Sequence, residues 1–530
     1  MSAPARLTSS AVIAAAAAVI TLAALVPLSR APGLGDEEAR FLAPGLPGAS
    51  PPPTQGAAEA PSQVPPLASL AARVATAAAA PLGVGPVTAS RLPSVLAAAL
   101  LAAGVALLAG ALAGPVAAAL APALLLASPR LLAAFLHAGP RPLGVSLVFT
   151  AAVASWRSAA SRRAGGRIRN GGYAGVLFGL AVAAQLEAAL LLPVLAAHAA
   201  LVRVLRHLRR APGQPSLRDP SAASEPPAPI EASLHGVPVA VAALAVIGPA
   251  IAFALWPWLW PDPVHRVPVA VRLALSQPRL PWTFPVFTTA LALPAAVVAA
   301  GIAGLLHAVL RLARAFLGAP GLSDELFLLL GVAWPFAAAQ LGVAVHGPGL
   351  GPWLAAFPFL AVLSARAIVS AGRAAWPAHA TGLAAAAGTM AVAAALSATV
   401  HAWPEPDAAW GELAGGAPGA ASLGLPRQDG EAVAALLASV SARARPGARV
   451  HLAAPHAGAL ALYRATGQLR ADLVPVGTPE EADLALVPLS SARAAEYQVW
   501  AAFGTATPVD GVFLDEVPLA WVYARPGAWR

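Results

Sequence analysis

The sequence predicts an all-α membrane protein with about eleven transmembrane helices, followed by a small α/β domain outside the membrane. Of its 530 residues, 58% are hydrophobic and 11% are charged, and a soluble chain could not bury that much apolar surface. Apolar runs of roughly 20 residues, the length of a helix that crosses the hydrocarbon core, recur before Thr399. After Thr399 charged residues return and the apolar runs shorten, which indicates a second, water-exposed domain.

The predicted transmembrane domain, residues 1–400, is a series of apolar runs separated by short polar or proline-containing stretches. The ends of the runs are soft, because alanine is only mildly apolar and proline interrupts several of them. The predicted spans are residues 10–29, 92–111, 113–128, 142–157, 171–185, 187–205, 236–256, 284–309, 325–345, 352–370 and 378–399.

Arginine positions predict the orientation of these spans. The chain has no lysine, and its arginines cluster beside the apolar runs: Arg157 to Arg169, Arg203 to Arg218, Arg311 with Arg314, and Arg366 with Arg373. With the N-terminus in the cytoplasm, all four clusters fall on the cytoplasmic side, as the positive-inside rule requires. The loop of residues 30–90, the loop from Trp256 to Trp282 and the C-terminal domain then lie outside the cytoplasm.

The composition also indicates which partners the protein binds and which kind of organism it comes from. The net charge is +9, but arginines beside membrane spans do not indicate nucleic acid, so we expect no nucleic-acid partner. The absence of lysine, together with abundant alanine, glycine and proline, is typical of a GC-rich bacterial genome. We therefore predict a multi-pass protein of the bacterial inner (cytoplasmic) membrane. There is no cysteine, which excludes disulfides and thiolate metal sites.

The segments outside the spans are predicted as follows. In the outer loop, residues 67–80 form an amphipathic helix at the membrane interface, and residues 211–234 are a proline-rich cytoplasmic linker. In the C-terminal domain, residues 401–530, short strands begin near Arg449, Ala482 and Val517. A helix over 430–445 with one apolar face completes an α/β alternation.

Three adjacent acids form the first candidate site. Asp36, Glu37 and Glu38 follow the first apolar run in a chain that is poor in charge. One interpretation is a solvated loop that ends a helix. The other is a catalytic base held at the membrane surface.

The second candidate site is the loop that begins at Trp256. Its tryptophans are typical of the membrane interface, which is a structural interpretation. Its cations, with the planar guanidinium groups of arginine, would also suit a phosphate at headgroup depth. The candidate residues are Asp262, His265, Arg266, Arg279 and Trp282. No phosphate loop, dinucleotide fingerprint or closely spaced set of metal ligands occurs.

The order of several motifs resembles the GT-C membrane glycosyltransferases of the protein O-mannosyltransferase and aminoarabinose transferase type, glycosyltransferase family 39. Gly35-Asp36-Glu37 resembles the acidic motif of the family's first outer loop. The further matching segments are Val64–Ser69, Ser90–Leu96, Gly175–Ala181, Trp256–Asp262, Pro281–Pro285 and Ala356–Ala361. The resemblance extends over nearly the whole chain, and the order of the motifs is more specific than any one of them.

This resemblance implies transfer of a sugar from a polyprenyl-phosphate donor to a lipid, glycan or protein acceptor on the outer face of the membrane. Asp36 would be the general base on the acceptor hydroxyl. Glu37 would orient the acceptor or bind a divalent cation, and no other cofactor is implied. The substrate-binding residues would be Arg91, Asp262, His265, Arg266, Arg279 and Trp282, in contact with donor, acceptor and membrane lipids.

The chain also departs from the family pattern at polar positions. Arg141 stands where a second aspartate is expected ahead of Trp156-Arg157, and Ser69 and a position near Gln185 replace expected lysines. Two interpretations follow: a transferase with a different substrate, or a catalytically inactive GT-C-like scaffold or glycan-binding protein. A transporter is less favoured, since no internal repeat with matched broken helices is evident.

Overall fold

The computed structural model describes residues 3–34, 38, 41–42, 65–208, 238–275, 280–342, 349–425, 431–453, 458–489 and 493–530. Most of these residues form a helical bundle. Its helices are α1 (Ala3–Leu28), α2 (Leu67–Ala79), α3 (Pro86–Ala113), α4 (Pro115–Leu126), α5 (Pro129–Leu136), α6 (Pro140–Ala160), α7 (Ala164–Ala184), α8 (Leu191–Leu208), α9 (Val239–Leu255), α10 (Pro263–Leu275), α11 (Phe284–Ala292), α12 (Ala295–Phe316), α13 (Leu322–Gln340), α14 (Phe357–Ala375) and α15 (Ala380–Ala402).

The polytopic all-α architecture predicted from the sequence is confirmed. Each predicted span coincides with a helix or a broken pair of helices in the described residues. Eight of these helices are long and apolar enough to cross a bilayer, and the bent pair α4–α5 adds a ninth span if it is counted as one. The sequence predicted about eleven spans, and the two additional ones are α9 and α7. Helix α9 has only 17 residues, and α7 carries Arg167 and Arg169 in its first turns.

Proline marks the starts of several bundle helices, including the bend between α4 and α5. Pro86, Pro115, Pro129 and Pro140 all occupy first turns, where the missing N–H needs no partner. Helices α4 and α5 meet at an angle of 77°. This bend brings the start of α5, which carries Arg130, to the end of the bundle that faces the C-terminal domain.

Small residues let α7 and α9 approach closely. A Cβ atom added at Gly175 would lie 2.7 Å from the carbonyl oxygen of Ala243, and one added at Gly179 would lie 2.7 Å from the carbonyl oxygen of Gly248. Because glycine has no side chain, the backbones of the two helices come into direct contact at these positions. Small residues commonly allow such close packing between helices in a bilayer.

A buried ion cluster closes the end of the bundle opposite the C-terminal domain. Glu325 is 1% exposed and lies 2.6 Å from Arg366 and 2.7 Å from Arg311. Next to it, the indole of Trp156 donates to Asp324 at 2.8 Å. The buried carboxylate is stable here because both arginines satisfy it. Arg311 and Arg366, from two of the arginine clusters that predict the cytoplasmic side, therefore meet at one buried carboxylate.

The predicted C-terminal α/β unit is a five-stranded sheet with helices. Its elements are α16 (Gly416–Ser422), α17 (Val433–Arg443), β1 (Arg449–Leu452), α18 (Gly458–Ala465), β2 (Val474–Val476), β3 (Leu484–Pro488), α19 (Arg493–Phe503), β4 (Asp510–Leu514) and β5 (Val517–Ala524). The strand order is β2-β1-β3-β5-β4, with β1 parallel to β2 and β3, and β5 antiparallel to β3 and β4. The three predicted strands are β1, β3 and β5, whereas β2 and β4 are additions.

The core of this domain extends onto the membrane bundle. Val433, Leu436, Leu437 and Val440 of α17 form the buried face that the apolar pattern predicts. The same core includes Leu34 and Leu42 from the outer loop, Ala138 from the α5–α6 connection, and Ala408 after α15. Outer-loop and bundle segments are thus packed directly against the domain.

Candidate functional site

A buried ion pair holds Glu38, the last of the three adjacent acids after α1. Glu38 and Arg91 are almost completely buried, and Glu38 Oε2 lies 2.6 Å from Arg91 Nη2. Arg91 Nε donates to Glu38 Oε1 at 2.7 Å and Nη2 donates to Glu38 Oε2. The other three N–H groups donate to the carbonyl oxygens of Ser29, Pro32 and Gly33. All five N–H groups of this guanidinium are used within the chain. Arg91 therefore positions Glu38, and in this arrangement none of its donors is left for a substrate.

Glu38 also connects the segment to the bundle. Its Oε1 atom accepts the backbone N–H of Ala138 at 2.7 Å. Burial would raise the pKa of the Glu38 carboxyl, but the charge and hydrogen bonds of Arg91 outweigh burial and lower it. Glu38 is therefore ionised in the folded protein.

The other side of the acidic segment is held by the C-terminal domain. The backbone N–H of Leu34 donates to the hydroxyl of Tyr463 at 2.6 Å. Gly33 packs so closely against the backbone of Glu431 that any Cβ atom would overlap the carbonyl oxygen. Asp36, Glu37 and Arg279, three of the predicted site residues, lie outside the described residues.

Beside this anchor, a histidine and two carboxylates from distant parts of the chain converge. His137 follows α5, Asp407 belongs to the turn Pro406–Ala408 after α15, and Glu431 precedes α17. One ligand atom from each lies within 4.8 Å of the others. Burial raises the pKa of the Glu431 carboxyl well above its usual value, and the charges of Asp407 and Glu405 raise it further. The cluster is thus rich in carboxyl groups, with Glu431 buried and His137 and Asp407 partly exposed.

Two arginines lie at the same end of the bundle. Arg130 is buried, donates from Nε to the carbonyl oxygen of Ala409 at 2.5 Å, and stacks its guanidinium 3.9 Å from the ring of Trp410. Its Nη1 faces Gly349, and the guanidinium of Arg141 lies against Gly351. Both cations therefore border the segment that leads into α14.

A small apolar cavity of about 20 Å³ lies between the bundle helices. Leu131 of α5 lines it together with Leu124 of α4. The opposite wall consists of side chains from the start of α12 and from α14: Val297, Phe357 and Leu360. The helices are therefore closely packed here, with room for no more than about one water molecule.

The tryptophan-rich loop makes its own local contacts. His265 Nδ1 lies 2.8 Å from Asp262 Oδ2, with both side chains largely exposed, and this hydrogen bond lowers the pKa of the Asp262 carboxyl. Arg266 donates to the carbonyl oxygen of Trp258 at 2.5 Å and lies over its ring. Trp282 is 74% exposed. Within the described residues, the side-chain contacts found for Asp262, His265 and Arg266 all lie inside this loop.

The sequence did not single out Arg130, His137, Asp407 or Glu431. These residues are far apart in the chain, and no spacing rule connects them. The sequence offered one indication of these residues: charged residues are rare in this chain, at 11%, so each of them was a candidate. The same argument identified the acids at 36–38.

Comparisons with known proteins show similarity in structure alone. No model of a protein family matches the chain, and no curated protein sequence matches it. ArnT from Cupriavidus metallidurans bound to undecaprenyl phosphate matches at 12% identity and a TM-score of 0.50, over 96% of this chain and 97% of that chain. The same protein in the apo state matches at 12% identity and a TM-score of 0.48, with the same coverage. Archaeal oligosaccharyltransferase AglB from Archaeoglobus fulgidus, with an inhibitory peptide and a dolichol-phosphate, matches at 14% identity and a TM-score of 0.43, over 74% and 55% of the two chains.

The chain therefore has the fold of the GT-C membrane glycosyltransferases, as its motifs predicted. The similarity to ArnT extends from the membrane bundle through the C-terminal sheet.

Proposed function

We propose that this protein is an integral membrane glycosyltransferase that moves a sugar from a polyprenyl-phosphate donor to a lipid, glycan or protein acceptor. The reaction takes place on the outer face of the bacterial inner membrane, with the N-terminus in the cytoplasm and residues 401–530 outside. The main supporting observation is a GT-C fold shared over 96% of the chain with a structure that holds undecaprenyl phosphate. An acidic segment anchored beside buried arginines at one end of the bundle supports it further.

Asp36 is the general base in this proposal. Leu34 and Glu38, each two residues away, are held by Tyr463 and Arg91. Because consecutive Cα atoms are about 3.8 Å apart, the Cα atom of Asp36 can be no further than about 7.6 Å from the Cα atoms of Leu34 and Glu38. A carboxylate suits the step, since the acceptor hydroxyl must lose its proton as its oxygen bonds to the anomeric carbon. The bond from that carbon to the phosphate oxygen breaks, and the electron pair leaves with the polyprenyl phosphate.

The leaving phosphate requires cations. Arg130 and Arg141 border the Gly349–Gly351 segment, and arginine forms paired, charge-assisted hydrogen bonds with phosphate oxygens. A site of this kind would stabilise the charge that develops on the phosphate in the transition state.

The remaining predicted residues have supporting roles. Arg266 and Arg279 supply further positive charge at headgroup depth, while Asp262, His265 and Trp282 form a polar and aromatic surface for sugar or lipid. Glu37 orients the acceptor or binds a divalent cation. Arg91 acts through Glu38 as a positioning residue.

The experiment is a transfer assay with purified full-length protein in lipid nanodiscs and a panel of polyprenyl-phosphate sugars. We expect at least one donor to be consumed, with release of polyprenyl phosphate, once an acceptor lipid or glycan extract is added. If no donor in the panel is consumed while the protein still binds polyprenyl phosphate, the inactive-scaffold interpretation replaces this one.

A further inference from the structure

His137, Asp407 and Glu431 bring three metal-binding side chains to one point between the membrane bundle and the C-terminal domain. The Nε2 atom of His137 lies 3.3 Å from Glu431 Oε1. A tetrahedral zinc ion with bonds of about 2.1 Å separates its ligand atoms by about 3.4 Å. The His137–Glu431 pair already has that separation. Asp407 completes a set whose ligand atoms lie within 4.8 Å, so a small side-chain rotation would close it.

The histidine is oriented for a ligand. Its Nδ1 atom lies 2.9 Å from the carbonyl oxygen of Ala133, which can only accept, so Nδ1 carries the proton. In the neutral ring Nε2 then presents a lone pair toward the carboxylate of Glu431. Nε2 is closed off from solvent and makes no hydrogen bond of acceptable geometry with any described residue. A cation between Nε2 and Oε1 would use both atoms as ligands, and a backbone carbonyl on Nδ1 is the usual arrangement behind a metal-bound histidine.

We propose that His137, Asp407 and Glu431 bind one divalent cation of the zinc class. One imidazole nitrogen with two carboxylates is a ligand set that zinc uses, and imidazole disfavours calcium and magnesium. A fourth position would remain for water. The ligands differ from Glu37, and the inference does not depend on the proposed transfer activity.

The surrounding charges favour a cation. Asp407, Glu405 and Glu431 lie close enough to interact electrostatically, and the charge of Arg130 interacts with Asp407 and Glu431. Glu38 is already neutralised by Arg91. A divalent ion bound here would place positive charge among these carboxyl groups.

The position of the ion gives it a structural role. His137 belongs to the bundle and Glu431 to the C-terminal domain, so the ion would hold the two together. The next residue, Ala138, donates its N–H to Glu38, the anchor of the acidic segment. Metal binding would thus stabilise the part of the bundle that holds Glu38.

The test is zinc binding by full-length protein purified without a histidine tag and dialysed against EDTA. We expect about one zinc per chain by elemental analysis after reloading, and a rise in unfolding temperature on loading. His137→Ala, Asp407→Asn and Glu431→Gln should each weaken zinc binding by about tenfold or more in calorimetry. His401→Ala is the matched control, since His401 pairs with Asp515 at an exposed site, and should bind zinc like wild type. Wild-type protein that retains no zinc, or equal binding by all four variants, would overturn the proposal.

A second measurement avoids dependence on the folding of the variants. X-ray absorption at the zinc edge of the wild-type protein should show one imidazole and otherwise oxygen ligands. A shell with two or more imidazoles would mean a different site, and the assignment to His137, Asp407 and Glu431 would be wrong.

Discussion

Each buried charge in the clusters described above has a partner, and the partner decides what it can do. Arg91 was predicted to contact substrate, because it belongs to a motif that resembles a helix entry in the family. The structure gives all its donors to Glu38 and three carbonyl oxygens. Since an arginine that is 1% exposed must be satisfied locally, burial rather than motif membership explains its role.

The first prediction concerns this pair. Arg91→Leu leaves the buried carboxylate of Glu38 unpaired and should lower the free energy of unfolding by about 3–5 kcal/mol. We expect a clear fall in unfolding temperature in detergent, measured by intrinsic fluorescence. His401→Ala removes an exposed ion pair and should cost about 1 kcal/mol or less. Equal effects of the two variants would show that the Glu38–Arg91 pair adds nothing special to stability.

At the scale of elements, the positions of small residues determine how the helices meet. Gly175 and Gly179 bring α7 against the backbone of α9, while Gly172 of the same helix faces open space. This contrast could not be read from the sequence, where all three look alike. The apolar pattern predicts that a helix exists but not which face packs most closely.

The second prediction uses that contrast. Gly179→Ala places a methyl group against the carbonyl of Gly248 and should push α7 away from α9, lowering the unfolding temperature. Gly172→Ala meets nothing and should be neutral or stabilising by up to about 1 kcal/mol, because alanine favours helix. Thermal scans of both variants in the same nanodiscs provide the comparison, and a Gly179→Ala protein as stable as Gly172→Ala would contradict the packing account.

For the whole molecule, the architecture was largely predictable and the site was not. Bilayer thickness imposes a local length rule, so the runs at 92–111 and 378–399 reveal their helices without any knowledge of their neighbours. By contrast, His137, Asp407 and Glu431 meet only after the α4–α5 bend and the docking of the C-terminal domain. Strand β2 was also missed, because its three residues carry no alternation. Features that depend on neighbouring residues can be predicted from the sequence, whereas contacts between distant segments cannot.

The third prediction tests orientation and uses the absence of cysteine. A single Ala501→Cys variant places a thiol at an exposed position of the C-terminal domain, and Ser221→Cys places one in the predicted cytoplasmic linker. In intact spheroplasts, a membrane-impermeant maleimide should label Ala501→Cys and should label Ser221→Cys only after permeabilisation. The reverse pattern would invert the proposed topology.

The central claim is that Asp36 removes the acceptor proton in sugar transfer, and the purified transfer assay measures this most directly. Asp36→Asn keeps the size of the side chain but cannot accept the proton, and we expect its rate to fall by about 10²- to 10⁴-fold. Asp515→Asn, which alters an exposed acid of the C-terminal domain, should transfer sugar at the wild-type rate. An Asp36→Asn protein that inserts normally and transfers sugar as fast as Asp515→Asn would contradict the account.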